Sequence, residues 1–369
     1  MTFNTHRLAS AACALLWGAS LAAQGTIIVP EATDRTSRVG TRGANFLEIS
    51  IGARSTAMAS SVVSTIDGPE AMFWNPAGIV TNADISAIVS YMQLYGSSSG
   101  ITNTAAALTM PLGQGALGLA FTQFTSGSID RTTEVAPDGD DPAFPGQFSY
   151  TGSALALQYA RNITDRLAAS AGLRLVQEGI DFAQNRYFGF DLATRFRTGL
   201  YGLSVAAAIT NIGPSNRFTG SGIERRVSAP RENGFATGGS IPVQFNTRQV
   251  QLPTGFRVGL ESHLIGDAEA LFGANKKHSL VGELDFFDAI DTDVQPSLGF
   301  EYGYKANYFL RVGKRWFNEQ HAPWKFADGL SFGGGVNIPV LGRKLTLDYA
   351  YTTMGELQNN QVLSFHIGK

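Results

Sequence analysis

FGFDLATRFR, residues 188–197, sets Phe188, Phe190, Leu192 and Phe196 on one side of an extended chain and Asp191, Arg195 and Arg197 on the other. Successive side chains of a strand point to opposite faces, so this alternation predicts a β-strand with one apolar and one charged face. The same split recurs in GFRVGLESHL, residues 255–264, where Phe256, Val258, Leu260 and Leu264 oppose Arg257, Glu261 and His263. It recurs again in KLTLDYAY, residues 344–351, where Leu345, Leu347, Tyr349 and Tyr351 oppose Lys344, Thr346 and Asp348.

Soluble sandwiches also alternate, and composition separates the two cases. Charged residues make up 16% of the 369 residues, against about 25% in soluble domains. Hydrophobic residues, at 44%, are not enriched, and no internal apolar run approaches the roughly 20 residues of a membrane helix. Low charge without long apolar runs points to membrane strands of period two. The 42 Gly, 24 Phe and 11 Tyr agree, because membrane barrels place aromatics at their interfaces and glycine where backbones bend or crowd.

About fourteen segments have the roughly 9–11 residues that a tilted membrane strand needs. They begin near Asp84, Ile101, Gln114, Phe148, Asp165, Tyr187, Leu200, Thr254, His278, Pro296, Lys305, Gly329, Arg343 and Gln361. The connections alternate in length. Tight ones at PLGQG, RNITDR, RTGLYG, EYGYKA and PVLGRK lie between longer ones at Thr125 to Gln147, Gly213 to Pro253 and Phe317 to Asp328. That asymmetry is expected of periplasmic turns and extracellular loops. The link Gly266 to Lys276 is longer than its side predicts. The expectation is an all-β transmembrane antiparallel barrel over residues 84–369, closing through VLSFHIGK at the end of the chain.

The N-terminal part reads differently. His6 and Arg7, the apolar LASAACALLWGASLAA and the small residues before Gln24 predict a cleaved secretory signal over residues 1–23. Cys13, the only cysteine, lies inside it, so the mature chain is expected to hold no disulfide or thiolate metal ligand. Residues 24–83 stand apart from the strands as a polar lead followed by a segment with short-helix signals. A small-residue helix is expected from Ala53 to Ser64, and Asp67-Gly68-Pro69 starts a second short helix with Pro near its first position. Asn75-Pro76 stops it, because the residue before Pro is pushed out of helical geometry.

A search for chemistry returns little. His263, His278, His321 and His366 lack metal-ligand spacing, no nucleophile elbow or phosphate loop is present, and FGGGVN, Phe332 to Asn337, reads as a strand kink. A net charge of −2 gives no footprint for nucleic acid. No catalytic residue, metal or cofactor is expected. The lumen-side charges of both signs are more informative. Arg174, Asp191, Arg195, Arg257, Glu261, Glu301, Arg311 and Asp348, with Glu178, Arg197, Glu283, Asp285, Arg315 and Lys344 on the same phase, suggest paired side chains holding something inside the barrel. The long loops carry Arg217, Phe218, Arg225, Arg226 and Phe235, residue types that supply much of the energy at protein interfaces.

GARSTAMASSVVSTIDGPEAMFWNPAGI, Gly52 to Ile79, resembles the N-terminal signature of the PorV/PorQ family of outer-membrane proteins, distant relatives of the fatty acid transporter FadL. Ala53-Arg54, Ala57-Met58, Asp67 and Trp74-Asn75-Pro76-Ala77-Gly78 match it, while Ala59-Ser60 stands where the family has a glycine pair. TNIGP at Thr210 and LPTGFRVGL at Leu252 are similar to the family's mid-barrel segments. The resemblance implies a fourteen-stranded barrel with the N-terminal segment folded into the lumen as a hatch, and makes Asn75 to Gly78 the corner where the hatch enters the first wall strand. It further implies a non-enzymatic outer-membrane protein. Its partners would be membrane lipid and secreted cargo or surface proteins, which it would dock as a type IX secretion component. The alternative is a FadL-like conduit for hydrophobic small molecules; a general porin conflicts with a hatch in the lumen.

Overall fold

The computed structural model describes residues 40–81, 84–139, 141–142, 146–228, 240–317 and 327–368. The proposed signal segment, with Cys13, and the loop residue Phe235 lie outside them. Fourteen strands close into one antiparallel barrel. In chain order they are β1 (Ser86–Gln93), β2 (Thr102–Leu112), β3 (Gly115–Thr125), β4 (Tyr150–Asn162), β5 (Leu167–Ile180), β6 (Ala183–Arg197) and β7 (Leu203–Ile212). They continue with β8 (Gly255–Ile265), β9 (His278–Ala289), β10 (Gln295–Tyr304), β11 (Tyr308–Arg315), β12 (Leu330–Val340), β13 (Arg343–Thr353) and β14 (Asn359–Gly368). Every strand pairs with its sequence neighbour, and β14 closes on β1 with Ser364 opposite Ser90. Closure satisfies every edge, which a sheet in hydrocarbon requires.

The alternation sorts side chains as expected. Val89, Leu119, Phe121, Leu155, Leu192 and Phe286 point outward and are exposed, forming the apolar band of a membrane barrel. Asp191, Arg195, Glu283 and Asp348 point inward and are buried. Barrel strands that water filled would leave those charges wet; here the hatch covers them. The hatch consists of short turns: a 3-10 turn at Asn45–Glu48, a helix α1 at Ala53–Ala57, and 3-10 turns at Gly68–Phe73 and Pro76–Thr81.

Several expectations need correction. The small-residue helix spans Ala53–Ala57 rather than reaching Ser64, because Ala59 and Ser60 take φ of 54° and 68°. Those left-handed positions, where glycine is favoured, are where the family signature has its glycine pair. FGGGVN is not a kink, since the β11–β12 and β12–β13 registers run through it unbroken. Its glycines make room: a Cβ on Gly333 would stand 2.7 Å from Ala57 Cβ, and one on Gly335 would overlap the Asp348 carboxylate. The connection between β5 and β6, Asp181-Phe182, is a two-residue hairpin on the long-loop side, contrary to the simple alternation of loop lengths. Within the long connection Gly213 to Pro253, Glu224–Ser228 pairs with Ser240–Gln244 as an antiparallel ribbon.

Candidate functional site

The site is the contact between the hatch and the lumenal wall, built on the backbone that the small residues leave free to approach. Four consecutive hatch amides are taken by two wall carboxylates on β9. Val62 and Val63 donate to Asp285 Oδ2 at 2.7 and 3.0 Å, and Ser64 and Thr65 donate to Glu283 Oε1 and Oε2 at 2.5 and 3.0 Å. Residues two apart on a strand share a face, so one strand presents both acids to one turn of hatch. From the opposite direction Arg195 on β6 reaches the carbonyl of Ile66 at 3.1 Å and Asp67 Oδ1 at 2.7 Å.

A second cluster pins the start of α1. Arg54 Nε bonds Glu301 Oε2 at 2.8 Å; the same oxygen accepts from Arg311 Nε at 2.6 Å, and Arg311 Nη1 reaches Asp348 Oδ1 at 2.6 Å. Ala53 N donates to Ser364 Oγ at 2.8 Å. A third anchor lies on β5, where Glu178 accepts from Ala44 N at 2.9 Å, from the Tyr150 hydroxyl at 2.7 Å and from the Tyr187 hydroxyl at 2.5 Å. Within the hatch, Glu70 accepts from the Ser55 amide at 3.2 Å and hydroxyl at 2.5 Å, and burial pushes its carboxyl above the usual range.

The corner at Trp74 to Gly78 is buried. Trp74 Nε1 donates to Ile51 O at 2.9 Å, Asn75 Nδ2 donates to Val63 O at 2.9 Å, and Asn75 Oδ1 accepts from Ala77 N at 3.1 Å. Asn75 Nδ2 also donates to Thr194 O on β6 at 3.1 Å, so Asn75 ties its own turn, Val63 and the wall together while Pro76 opens the last 3-10 turn, from which the chain runs to β1. Gly78 is needed for a different reason than a positive φ: a Cβ there would stand 2.2 Å from Ile66 O.

The lumenal charges form separate groups rather than one network. Arg174 pairs with Asp191 at 2.7 Å, and Gln158 donates to the same Asp191 Oδ2. The other Asp191 oxygen accepts from Asn211 N at 2.7 Å, where β7 bulges between Ile209 and Ile212 against β6. Glu261 pairs with His263 at the turn end, 2.8 Å away. Arg257 has no ion pair among the described residues; its guanidinium stacks over Phe287 at 4.1 Å and Trp74 at 5.3 Å. The loop residues do not converge either. Arg217 bonds Asn246, Phe218 O accepts from Thr247, and Arg225 and Arg226 lie exposed on the ribbon.

Two groups were invisible to strand periodicity because they belong to the irregular hatch. Glu70 is one. The other is Glu48, whose carboxyl burial beside Asp291 pushes up to about 7, with Arg257 and Arg315 pulling the other way. Glu48 lines a cavity of about 260 Å³ between the hatch and the loop ends of β1 and β11–β14.

No protein-family model and no curated protein matches the sequence. Solved structures do match in fold. The Ralstonia pickettii toluene transporter TbuX superposes with a TM-score of 0.55 at 14% identity, over 86% of this chain and 96% of that one. The Pseudomonas putida toluene transporter TodX gives 0.52 at 12% over 86% and 96%, and a Pseudomonas aeruginosa FadL homologue 0.52 at 12% over 86% and 98%. The barrel fold is that of FadL-type outer-membrane transporters. The FadL-like barrel fold that the sequence resemblance implied is thereby supported; the narrower PorV/PorQ membership and the type IX role are not.

Proposed function

We propose that the chain is an outer-membrane conduit for hydrophobic small molecules, with the hatch as its movable obstruction. The observation that carries this reading is an uncharged strip down the lumen. The buried, inward residues of β1–β4 are Ser86, Ile88, Ser90 and Met92, then Asn103, Ala105, Ala107 and Thr109, then Ala116, Gly118, Ala120 and Thr122, then Gly152, Ala154, Ala156, Gln158 and Ala160. Met58, Val62, Ile66, Met72, Trp74 and Ile79 of the hatch pack against its alanines. A hydrophobe passing a displaced hatch meets small and apolar groups there instead of buried ions, which it could not solvate. The fold shared with toluene transporters supports the same reading. The reading assigns the chain no reaction and no cofactor, and lipid as its surrounding partner. No observation on the long loops favours docking of secreted proteins over the conduit.

A reversible lock tests the proposal. A Cβ on Gly118 would overlap Met72 Sδ, so a Gly118→Cys, Met72→Cys pair places two thiols within disulfide reach across hatch and wall. Cells expressing the oxidised pair should take up labelled toluene at the rate of cells lacking the protein, and reductant should restore uptake. Uptake by the unaltered protein no faster than in cells lacking it would overturn the reading.

A further inference from the structure

The cavity above the hatch ends on polar groups that have no partner among the described residues. Thr56 Oγ1, on a residue 3% exposed, and Glu48 Oε1 are buried and find no hydrogen bond among the described residues. Arg315 lines the same cavity. Arg54, Arg174, Arg195 and Arg311 each hold a carboxylate, whereas the Arg315 side chain makes no ion pair or hydrogen bond among the described residues. The remaining lining includes Leu94, Met354 and Phe317, and its polar members bond within the protein, Ser50 with Ser60, Ser331 with Thr352, and Asn360 Oδ1 accepting from the Tyr95 amide.

We infer that this cavity binds a small monocarboxylic acid with an aromatic or short aliphatic body, its carboxylate on Arg315 and its body against Leu94, Met354 and Phe317. The inference deepens the conduit reading and rests on it for the place of the site at the outer mouth. A bare hydrocarbon would fill the apolar side and leave all three polar groups unsatisfied, and each such group costs free energy when dried. A polyol would satisfy them and waste the apolar side. A carboxylate does both, because its two oxygens match the planar guanidinium fork and leave a lone pair for the Thr56 hydroxyl, and below about pH 7 the Glu48 carboxyl keeps its proton beside it and can donate rather than repel. The volume of about 260 Å³ admits one ring or a short chain and not a long acyl chain.

The test is calorimetric titration of the full-length protein in detergent with benzoate and, separately, with benzyl alcohol, which has the same ring and no charge. Benzoate should bind saturably and about tenfold more tightly than benzyl alcohol, the size of one charge-assisted hydrogen-bonded pair. Arg315→Gln should erase that preference, Arg315→Lys should keep part of it, and Thr56→Val should lower benzoate affinity by about threefold. Heat-modifiable migration of each variant establishes that its barrel is folded. Absence of saturable benzoate binding by the folded protein, or binding unchanged by Arg315→Gln, would overturn the inference. The two readings fail separately: toluene uptake without benzoate binding removes the acid site and leaves the conduit, while benzoate binding without uptake of any hydrophobe does the reverse.

Discussion

Strands β1–β4 and strands β8–β11 meet the same hatch in opposite ways. The first group offers alanines, serines and one buried isoleucine, with no inward charge. The second offers Arg257, Glu283, Asp285, Glu301, Arg311 and Arg315. Apolar packing is non-directional and falls off gradually as surfaces slide, whereas a carboxylate holding two amides keeps one position and loses its hold within an ångström or so. The charged half thus sets where the hatch sits, and in the proposed conduit the uncharged half is the side a solute would pass once the hatch moves.

The largest effect is expected where the latch is densest. Glu283→Ala with Asp285→Ala leaves four buried hatch amides without acceptors, a cost of about 4 kcal/mol or more at roughly 1 kcal/mol each. In planar bilayers the barrel should still insert, and steady conductance should rise sharply over that of the unaltered protein. A double variant that stays closed would show that apolar packing alone holds the hatch, and the contrast between the halves would collapse.

Raising the pH should act in the same direction more gently through Glu48. Burial and Asp291, on the β9–β10 connection, raise its carboxyl from 4.5 to about 7, while Arg257 of β8 and Arg315 of β11 oppose them. The docked hatch therefore holds a proton that the released hatch gives up. That contribution is complete below pH 4.5 and is lost as pH rises through about 7. Conductance measured from about pH 4 to about pH 8 should increase with pH, and Glu48→Gln should flatten the dependence.

The uncharged half predicts smaller changes. Ile79, fully buried against the wall alanines, becomes a small cavity in Ile79→Val, costing about 1 kcal/mol in thermal unfolding. Conductance should not change, and a rise would place part of the latch on this side. Smallest of all, Ala59→Gly relieves a left-handed residue at φ 54° and should stabilise the docked hatch by about 0.5 kcal/mol, read as a higher melting temperature.

Much of the wall was legible. The predicted start at Asp84 stands two residues before Ser86, and His278 and Arg343 coincide with the observed starts of β9 and β13. Period two survives because each wall position faces either lipid or lumen, so its residue type reports its side. Errors gathered where that pressure is absent. Phe148 belongs to a loop bridge with Ile129 rather than to β4, and β6 begins at Ala183, ahead of Tyr187, since the strand ends project beyond the apolar band. The hatch motif was visible as Trp74 to Gly78, but its role as a knot of Ile51, Val63 and Ile66 was not, because those contacts are backbone carbonyls with no sequence signature.

By itself the sequence determined a membrane barrel with about fourteen strands and the faces of its side chains, because alternation and charge deficit are summed over many positions; the inserted segment was implied only by the resemblance of Gly52 to Ile79 to a known signature. Which inward charges find each other was decided only in three dimensions. Glu301 meets Arg54 across 247 residues of chain, and Arg257 stacks on rings in place of a carboxylate. Pairing in a lumen depends on strand tilt, on register and on where an irregular hatch comes to rest. None of these leaves a local pattern in the chain.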